Sequence, residues 1–211
     1  MRKKLNVIIC LVVLSLLIFH GGVKAFEFDI KQVKPYLGIS YNTYNLGEIN
    51  NLANHYGSQE IKGGIGIQLG ADYKFSELGK KAGLEFDFMS VDYKNIALKA
   101  SNFGLLVKGS YQLSAIQSEL NVSLIGSEFA KKFWLSSGVG IYRSNVTDDE
   151  GDIDYKPFIG PGFKLGLKGA HSVSDNFKLG GQINYRYSNV HSERDFNFNG
   201  LEVSFQAGYE F

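Results

Sequence analysis

The sequence predicts an all-β fold, an eight-stranded antiparallel up-and-down β-barrel that spans a membrane. Apolar residues recur at every second position in segments of about ten residues or more, which is the period of a β-strand and matches the ~9–11 residues of a tilted transmembrane strand. Long polar connections alternate with shorter turns along the chain, as in transmembrane barrels. The first 25 residues are organised like a secretory signal peptide.

The composition excludes several other classes of protein. The chain has 211 residues, of which 44% are hydrophobic, 14% aromatic and 20% charged, with 25 Gly and 3 Pro. It is too rich in aromatic residues for a disordered chain, and its mean hydropathy of −0.10 is too low for a bundle of membrane helices. The 22 basic and 21 acidic residues leave no basic excess of the kind that marks nucleic-acid-binding proteins.

Residues 1–25 are predicted to be a cleaved signal peptide, and residues 26–211 the mature barrel. Basic residues at positions 2–4 precede an apolar run, and small residues at 23 and 25 occupy the positions that a signal peptidase reads. Cleavage removes four basic residues and no acidic one, so that 18 basic and 21 acidic residues remain and the net charge becomes −3. It also removes Cys10, the only cysteine, which excludes thiol catalysis and cysteine-ligated metal sites in the mature chain.

The alternation defines eight strands. The last strand shows it most clearly, because apolar residues at 201, 203, 205, 207, 209 and 211 alternate with polar or small residues. With both termini on the side of the short turns, the number of strands must be even. The predicted strands cover residues 33–43, 63–75, 82–91, 101–113, 133–144, 157–168, 177–188 and 200–211.

The lengths of the connections predict which end of the barrel faces the cell exterior and which faces the periplasm. Segments 44–62, 92–100, 145–156 and 189–199 are polar, rich in Asn or acidic, whereas 76–81 and 169–176 are shorter turns. Transmembrane barrels place long loops on the cell surface and short turns in the periplasm. The prediction therefore puts the first four segments outside the cell.

Two segments leave alternatives open. Residues 114–132 stand where a short turn is expected, yet they have apolar residues at 116, 120, 122 and 124 and could form a ninth strand. Residues 26–30 would then supply a tenth strand, so that ten strands are the alternative to eight. Pro161 lies inside a predicted strand, and we expect a bulge at residues 160–162 to accommodate it.

The two faces of the strands favour a barrel in lipid over a soluble sandwich or lipocalin-like barrel. Glycines recur on the polar face, where small residues would leave room for longer side chains across a narrow lumen. Aromatic residues gather at the strand ends, where their rings suit a membrane interface. The polar-face glycines are Gly64, Gly66, Gly70, Gly138, Gly140, Gly160, Gly162 and Gly166. The strand-end aromatics are Tyr73, Phe75, Tyr111, Phe133, Phe177, Tyr209 and Phe211 on the turn side, with Tyr41, Phe103, Tyr185 and Tyr187 on the loop side.

Charged residues also lie on the polar face, near the middle of the strands. Counting from the strand ends places Asp87 level with Lys108, and Arg186 level with Glu202. Charges of both signs at one height indicate paired side chains that fill the lumen, with a structural role. The predicted inward charges are Glu85, Asp87, Lys108, Lys164, Lys168, Arg186 and Glu202.

Several of these features together resemble a known group of proteins. They are the signal peptide, the eight strands, Ser-Gly-Val-Gly-Ile-Tyr at 137–142, Tyr185-Arg186-Tyr187 and the terminal Gly208-Tyr209-Glu210-Phe211. The chain resembles the small outer-membrane β-barrel proteins of Gram-negative bacteria, the opacity-type porin-like proteins and the OmpA/OmpX-type barrels. The resemblance implies a place in the outer membrane. Tyr209 and Phe211 resemble the signal by which the outer-membrane assembly machinery recognises its substrates.

Some small outer-membrane barrels deacylate lipid A with a His-x-Ser-Asn motif, in which His activates Ser. Here Ser188 precedes Asn189, but Arg186 stands where the His should be and stays protonated at neutral pH. His191 falls in a predicted loop. No catalytic residue is predicted.

The acidic loop 145–156 has carboxylates of the type that bind Ca²⁺, but it lacks the EF-hand spacing. The histidines of the mature chain are too scattered to form a metal site. No metal and no cofactor is therefore predicted.

We expect a monomeric, non-enzymatic barrel that presents surface loops in a structural or adhesin-like role. Contact with ligands is expected through loops 44–62 and 145–156. A narrow passive channel is the alternative, and a lipid A-modifying enzyme a third reading. The expected partners are outer-membrane lipid and lipopolysaccharide, the assembly machinery, and host or matrix surface ligands, with no nucleic acid.

Overall fold

The residues that the structure describes belong almost wholly to the predicted barrel. A computed structural model describes residues 29–43, 50–51, 54–55, 62–75, 79–93, 98–122, 125–148, 154–190 and 196–210. The predicted signal peptide 1–25, most of loop 44–62, part of loop 145–156, His191 and Phe211 lie outside these ranges. Within them, no helix is both long and apolar enough to cross a bilayer.

Eight antiparallel strands form a closed barrel. Each strand pairs with the next along the chain, and the last pairs with the first, with Tyr36 opposite Gly208. A two-residue strand, Phe196–Asn197, pairs with the end of the seventh strand. The predicted eight-stranded up-and-down barrel is confirmed. The barrel strands are β1 (Val33–Thr43), β2 (Gly63–Phe75), β3 (Lys80–Tyr93), β4 (Leu98–Gln112), β5 (Phe133–Asp148), β6 (Asp154–Ser172), β7 (Phe177–Val190) and β8 (Gly200–Tyr209).

The ten-strand alternative is wrong. Residues 114–132 contain two short helices, α1 (Leu113–Glu119) and α2 (Ser127–Ala130), and Ile30–Gln32 forms a 3₁₀ turn before β1. Of the apolar positions that suggested a strand, 116 lies in α1, 120 is its C-cap and 122 follows the helix, whereas 124 lies outside the described residues. The four-residue spacing of 116 and 120 is even and also matches one helical turn, so these two residues satisfy both the strand and the helix period.

The central strands are longer than predicted at the loop end. β3, β4, β5 and β6 extend two to four residues beyond the predicted strand ends, and β6 reaches 19 residues in all. The irregularity in pairing lies between Ser144 and Val146 of β5, not at the expected bulge around Pro161, which pairs with Ile141 in continuous register. The β6–β7 ladder begins only at Gly162. Pro161 therefore lies just outside the β6–β7 ladder, where the N–H group that proline lacks is not needed for pairing with β7.

The outer wall of the barrel is apolar and the interior is polar. Leu37, Ile39, Ile67 and Leu69 of β1 and β2 are each more than half exposed, whereas the residues between them, such as Gln68, are buried. At the turn end, Phe177 and Tyr209 face each other across β7 and β8 and are also exposed. A water-soluble barrel would bury the apolar face instead, so this wall is built for lipid.

Inward glycines make room for large side chains in the lumen. The Tyr142 ring is fully buried between β4 and β6. A Cβ atom added at Gly104 or at Gly162 would lie 2.5 Å from that ring. A Cβ atom at Gly70 would lie 2.4 Å from the Tyr36 side chain. The missing side chains of these glycines therefore leave the space that the aromatic rings occupy in this narrow interior.

A charge placed on the outer wall should destabilise the barrel according to its depth in the membrane. Leu69 lies in the middle of β2 and is 55% exposed. We expect Leu69→Arg to lower the free energy of unfolding by about 2–4 kcal/mol in phosphatidylcholine vesicles, measured by urea titration. Ile30→Arg is the control, because Ile30 is 66% exposed but precedes the barrel wall. Equal stability of the two variants would contradict the assignment of this wall to lipid.

Candidate functional site: a charge cluster inside the barrel

Six charged side chains meet in the middle of the lumen. They come from β3, β4, β6, β7 and β8, and each occupies an inward position of its strand. All are at most 3% exposed. Three are acidic and three are basic, so the group as a whole is neutral. We call this group the charge cluster: Glu85, Asp87, Lys108, Lys164, Arg186 and Glu202.

Glu85 binds two lysines from different strands. Its Oε2 lies 2.6 Å from Lys108 Nζ, and its Oε1 lies 3.1 Å from Lys164 Nζ. The Tyr36 hydroxyl donates a 2.6 Å hydrogen bond to the same carboxylate and accepts one of 2.9 Å from Lys108. A carboxylate with three donors is well compensated for the loss of water.

Lys164 joins the acidic residues of the charge cluster to one another. Besides Glu85, its ammonium lies 2.8 Å from Glu202 Oε2 and contacts the Asp87 carboxylate. These three acids belong to β3 and β8, which are not neighbours in the sheet. Lys164 therefore ties three separate parts of the barrel wall through its centre.

Arg186 extends the charge cluster towards the loop end. Its Nη1 lies 3.4 Å from Glu202 and donates a 2.8 Å hydrogen bond to the Asn42 side chain. Its Nε and Nη2 both donate to the backbone carbonyl of Phe198, at 3.1 and 2.9 Å. Phe198 is itself 1% exposed. Arg186 thus holds the segment before β8 against the lumen.

Amides and a second ion pair surround the charge cluster. Gln68 donates a 2.6 Å hydrogen bond to Glu202, and Asn184 donates one of 2.7 Å to the same oxygen. Towards the turn end, Lys168 pairs with Asp72 at 2.9 Å and lies 4.3 Å from the Tyr36 ring centroid. The interior is thus occupied by side chains bonded to one another across the lumen.

The predicted inward charges all lie in the lumen, but one pairing differs from the expectation. Arg186 does approach Glu202, whereas Lys108 pairs with Glu85 and not with Asp87. In the β3–β4 ladder, Lys108 is opposite Gly83, while Asp87 is opposite Gly104. β3 also begins at Lys80, two residues before the predicted start, so counting from the strand end misjudged the height.

Tyr36, Gln68 and Asp72 are members of this network that the sequence analysis did not single out. Each is on an inward position of its strand, so parity of position was the available signal. Arg186, which stands in place of a general base two residues before Ser188, is fully engaged by Glu202 and by Phe198. These contacts give Arg186 a structural role in the lumen.

Removal of Lys164 should be costly, because it leaves acidic groups buried without their counter-charge. We expect Lys164→Met to reduce the free energy of unfolding by about 3–5 kcal/mol. The matched control is Lys80→Met, since Lys80 lies on the outer face of β3 with its ammonium over the Tyr111 ring. Urea unfolding of both variants in lipid vesicles measures the difference. Equal losses would mean that the charge cluster does not hold the barrel together.

Comparisons with known proteins agree with this architecture. No protein-family model and no curated protein sequence matches the chain. Two solved structures are similar over 85% of this chain and 97% of their own, each at 12% identity: Neisserial surface protein A, with a TM-score of 0.54, and the attachment invasion locus protein Ail of Yersinia pestis, with 0.53. The chain therefore has the closed eight-stranded β-barrel fold of these two proteins, with an apolar outer wall and a polar lumen.

Proposed function

We propose that this protein is a non-enzymatic outer-membrane barrel whose surface loops make its contacts, in a structural or adhesin-like role. The observation that carries the proposal is the neutral charge cluster, which fills the lumen with side chains paired to one another. A lumen occupied in this way supports a scaffold, and function then falls to the loops that the scaffold positions.

The acidic segment 145–156, which includes the loop ends of β5 and β6, indicates what kind of ligand fits. Five acidic residues lie between positions 148 and 154 of this segment. Ail, whose fold is similar, has been solved in complex with the heparin analogue sucrose octasulfate, with a TM-score of 0.51 at 12% identity. A sulphated ligand would be repelled by so acidic a loop. For this chain we therefore propose basic surface or matrix ligands, with loop 44–62 contributing polar contacts.

Other proposed partners follow from the barrel itself. Lipid and lipopolysaccharide would contact its apolar wall and loops, and the assembly machinery would read Tyr209 and Phe211. Tyr209 ends β8 on the outer face, and Phe211 lies outside the described residues.

A narrow passive channel is the alternative function, and conductance separates the two. We expect the purified barrel to give no stable current steps in planar bilayers, because the ion pairs of the charge cluster occupy the path. The double variant Glu85→Ala/Lys164→Ala removes the centre of the charge cluster and is the positive control for an opened lumen. Stable conductance by the unaltered protein, changed by Asp87→Ala or Lys108→Ala, would contradict the scaffold role.

Adhesion tests the loops. Bacteria that display the barrel should attach to epithelial monolayers, and replacing the five acidic residues of 148–154 with Asn or Gln should reduce attachment several-fold. The matched control replaces the same number of Asn and Gln residues elsewhere in surface loops by Ser, which leaves the charge unchanged. Attachment that survives both the neutralised loop and surface protease treatment would defeat the adhesin-like proposal, while leaving the barrel assignment intact.

A further inference from the structure

The turn end of the barrel opens into a strongly basic cavity. Its volume is about 230 Å³, and six lysines are among the residues that line it. This is below the ~300–1,000 Å³ typical of drug-sized ligands and suits a small anion. We call these residues the lysine ring: Lys34, Lys74, Lys81, Lys131, Lys132 and Lys178.

Strand parity turns much of the lysine ring inward. Lys34 lies two positions before Tyr36, and Lys74 lies two positions after Asp72, so each shares the inward face of its strand. The remaining lining includes Gln112 and Trp134, at the turn ends of β4 and β5. Lysines at the ends of separate strands therefore surround one opening.

Lys74 and Lys81 are directly opposite each other in the β2–β3 ladder. Like charges at opposed positions destabilise a sheet. The Lys81 ammonium lies 4.1 Å from the Trp134 ring centroid and is also attracted by the Asp72 carboxylate, which is itself paired with Lys168. An anion between the two ammonium groups would relieve the repulsion between them.

In the part of the chain that the structure describes, few acidic groups compensate the lysine ring. Glu210 pairs with Lys178 at 2.7 Å and also contacts Lys34. Lys131 pairs with Glu128 at 2.8 Å, with both side chains exposed. Among the described residues, no carboxylate forms an ion pair with Lys74 or Lys132, and Glu128 attracts Lys132 only at longer range. The cavity therefore keeps a positive excess.

The cavity ends inside the barrel. A narrower recess of about 60 Å³ continues from it and shares Lys34, Lys81 and Lys178 in its lining. Tyr36 and the Asp72–Lys168 ion pair also line this recess, below the charge cluster. The basic cavity therefore extends into the barrel as far as the Asp72–Lys168 ion pair.

We propose that the lysine ring is a binding site for a phosphate-bearing anion on the periplasmic side of the membrane. Short turns mark the periplasmic end of such barrels. Lysine ammonium groups bind phosphate as point charges, and several of them match a group with more than one negative charge. The phosphate comes from a phospholipid headgroup of the inner leaflet or from a soluble phosphate compound.

Calorimetric titration with inorganic pyrophosphate tests the site in the folded protein. Lys74→Gln/Lys132→Gln should weaken binding about tenfold, because it removes two charge-assisted contacts without exposing a paired acid. Lys31→Gln/Lys80→Gln changes the net charge equally outside the cavity and should leave affinity within about twofold. A heat-dependent shift in gel mobility verifies that each variant is folded, and Lys74→Gln alone serves if the double variant is not.

Native mass spectrometry distinguishes the two sources of phosphate. The protein is released from nanodiscs of equal phosphatidylglycerol and phosphatidylcholine. Retention of phosphatidylglycerol that Lys74→Gln/Lys132→Gln abolishes supports the site and assigns it to a lipid headgroup. Pyrophosphate binding that depends on the lysine ring, without retained lipid, supports a soluble ligand. Binding of neither, or equal losses in the control variant, would overturn the proposal.

Discussion

The barrel depends on the charge balance around Lys164. A polar interior in an eight-stranded barrel offers little room for water, so every buried charge needs a partner of opposite sign. Lys164 meets carboxylates from β3 and β8, and Lys108 and Arg186 complete their compensation. The interactions that make the interior neutral also connect strands that are not neighbours in the sheet. The same ion pairs thus fill the lumen and hold opposite parts of the barrel wall together.

The rest of the composition follows because apolar residues face outward, towards lipid, and polar residues face inward, towards the lumen. The wall meets lipid with Leu, Ile, Phe and Tyr, while glycines leave space for Tyr36 and Tyr142 in the lumen. Many glycines and many aromatic residues therefore occur in one chain of nearly neutral mean hydropathy. The proposed functions divide in the same way, because the charge cluster fills the lumen and leaves contacts to its two ends, the surface loops with the acidic segment 145–156 on one side and the lysine ring on the other.

Most strands of the barrel wall were predictable from the sequence, because the alternation of apolar and polar residues marks both where a strand runs and which of its side chains face lipid. The bounds of β1 and β2 match the prediction, as do the first residues of β5, β7 and β8. Two kinds of feature were not. The four-residue spacing of 116 and 120 fits a strand and a helix equally well, and in the structure 116 lies in α1 and 120 is its C-cap. The partner of Lys108 depends on the stagger between β3 and β4, which involves residues far apart in sequence.

Exchange of the lysine ammonium protons, measured by NMR in lipid nanodiscs, tests the filled lumen most directly. Side-chain nitrogen signals of Lys108 and Lys164 should persist at neutral pH, because their protons are held in ion pairs away from bulk water. The signals of Lys74, which is partly exposed, and of Lys132, which is exposed, should be lost because their ammonium protons exchange rapidly with water. Equally rapid exchange at Lys164 would mean a water-filled lumen and would contradict the account given for this barrel.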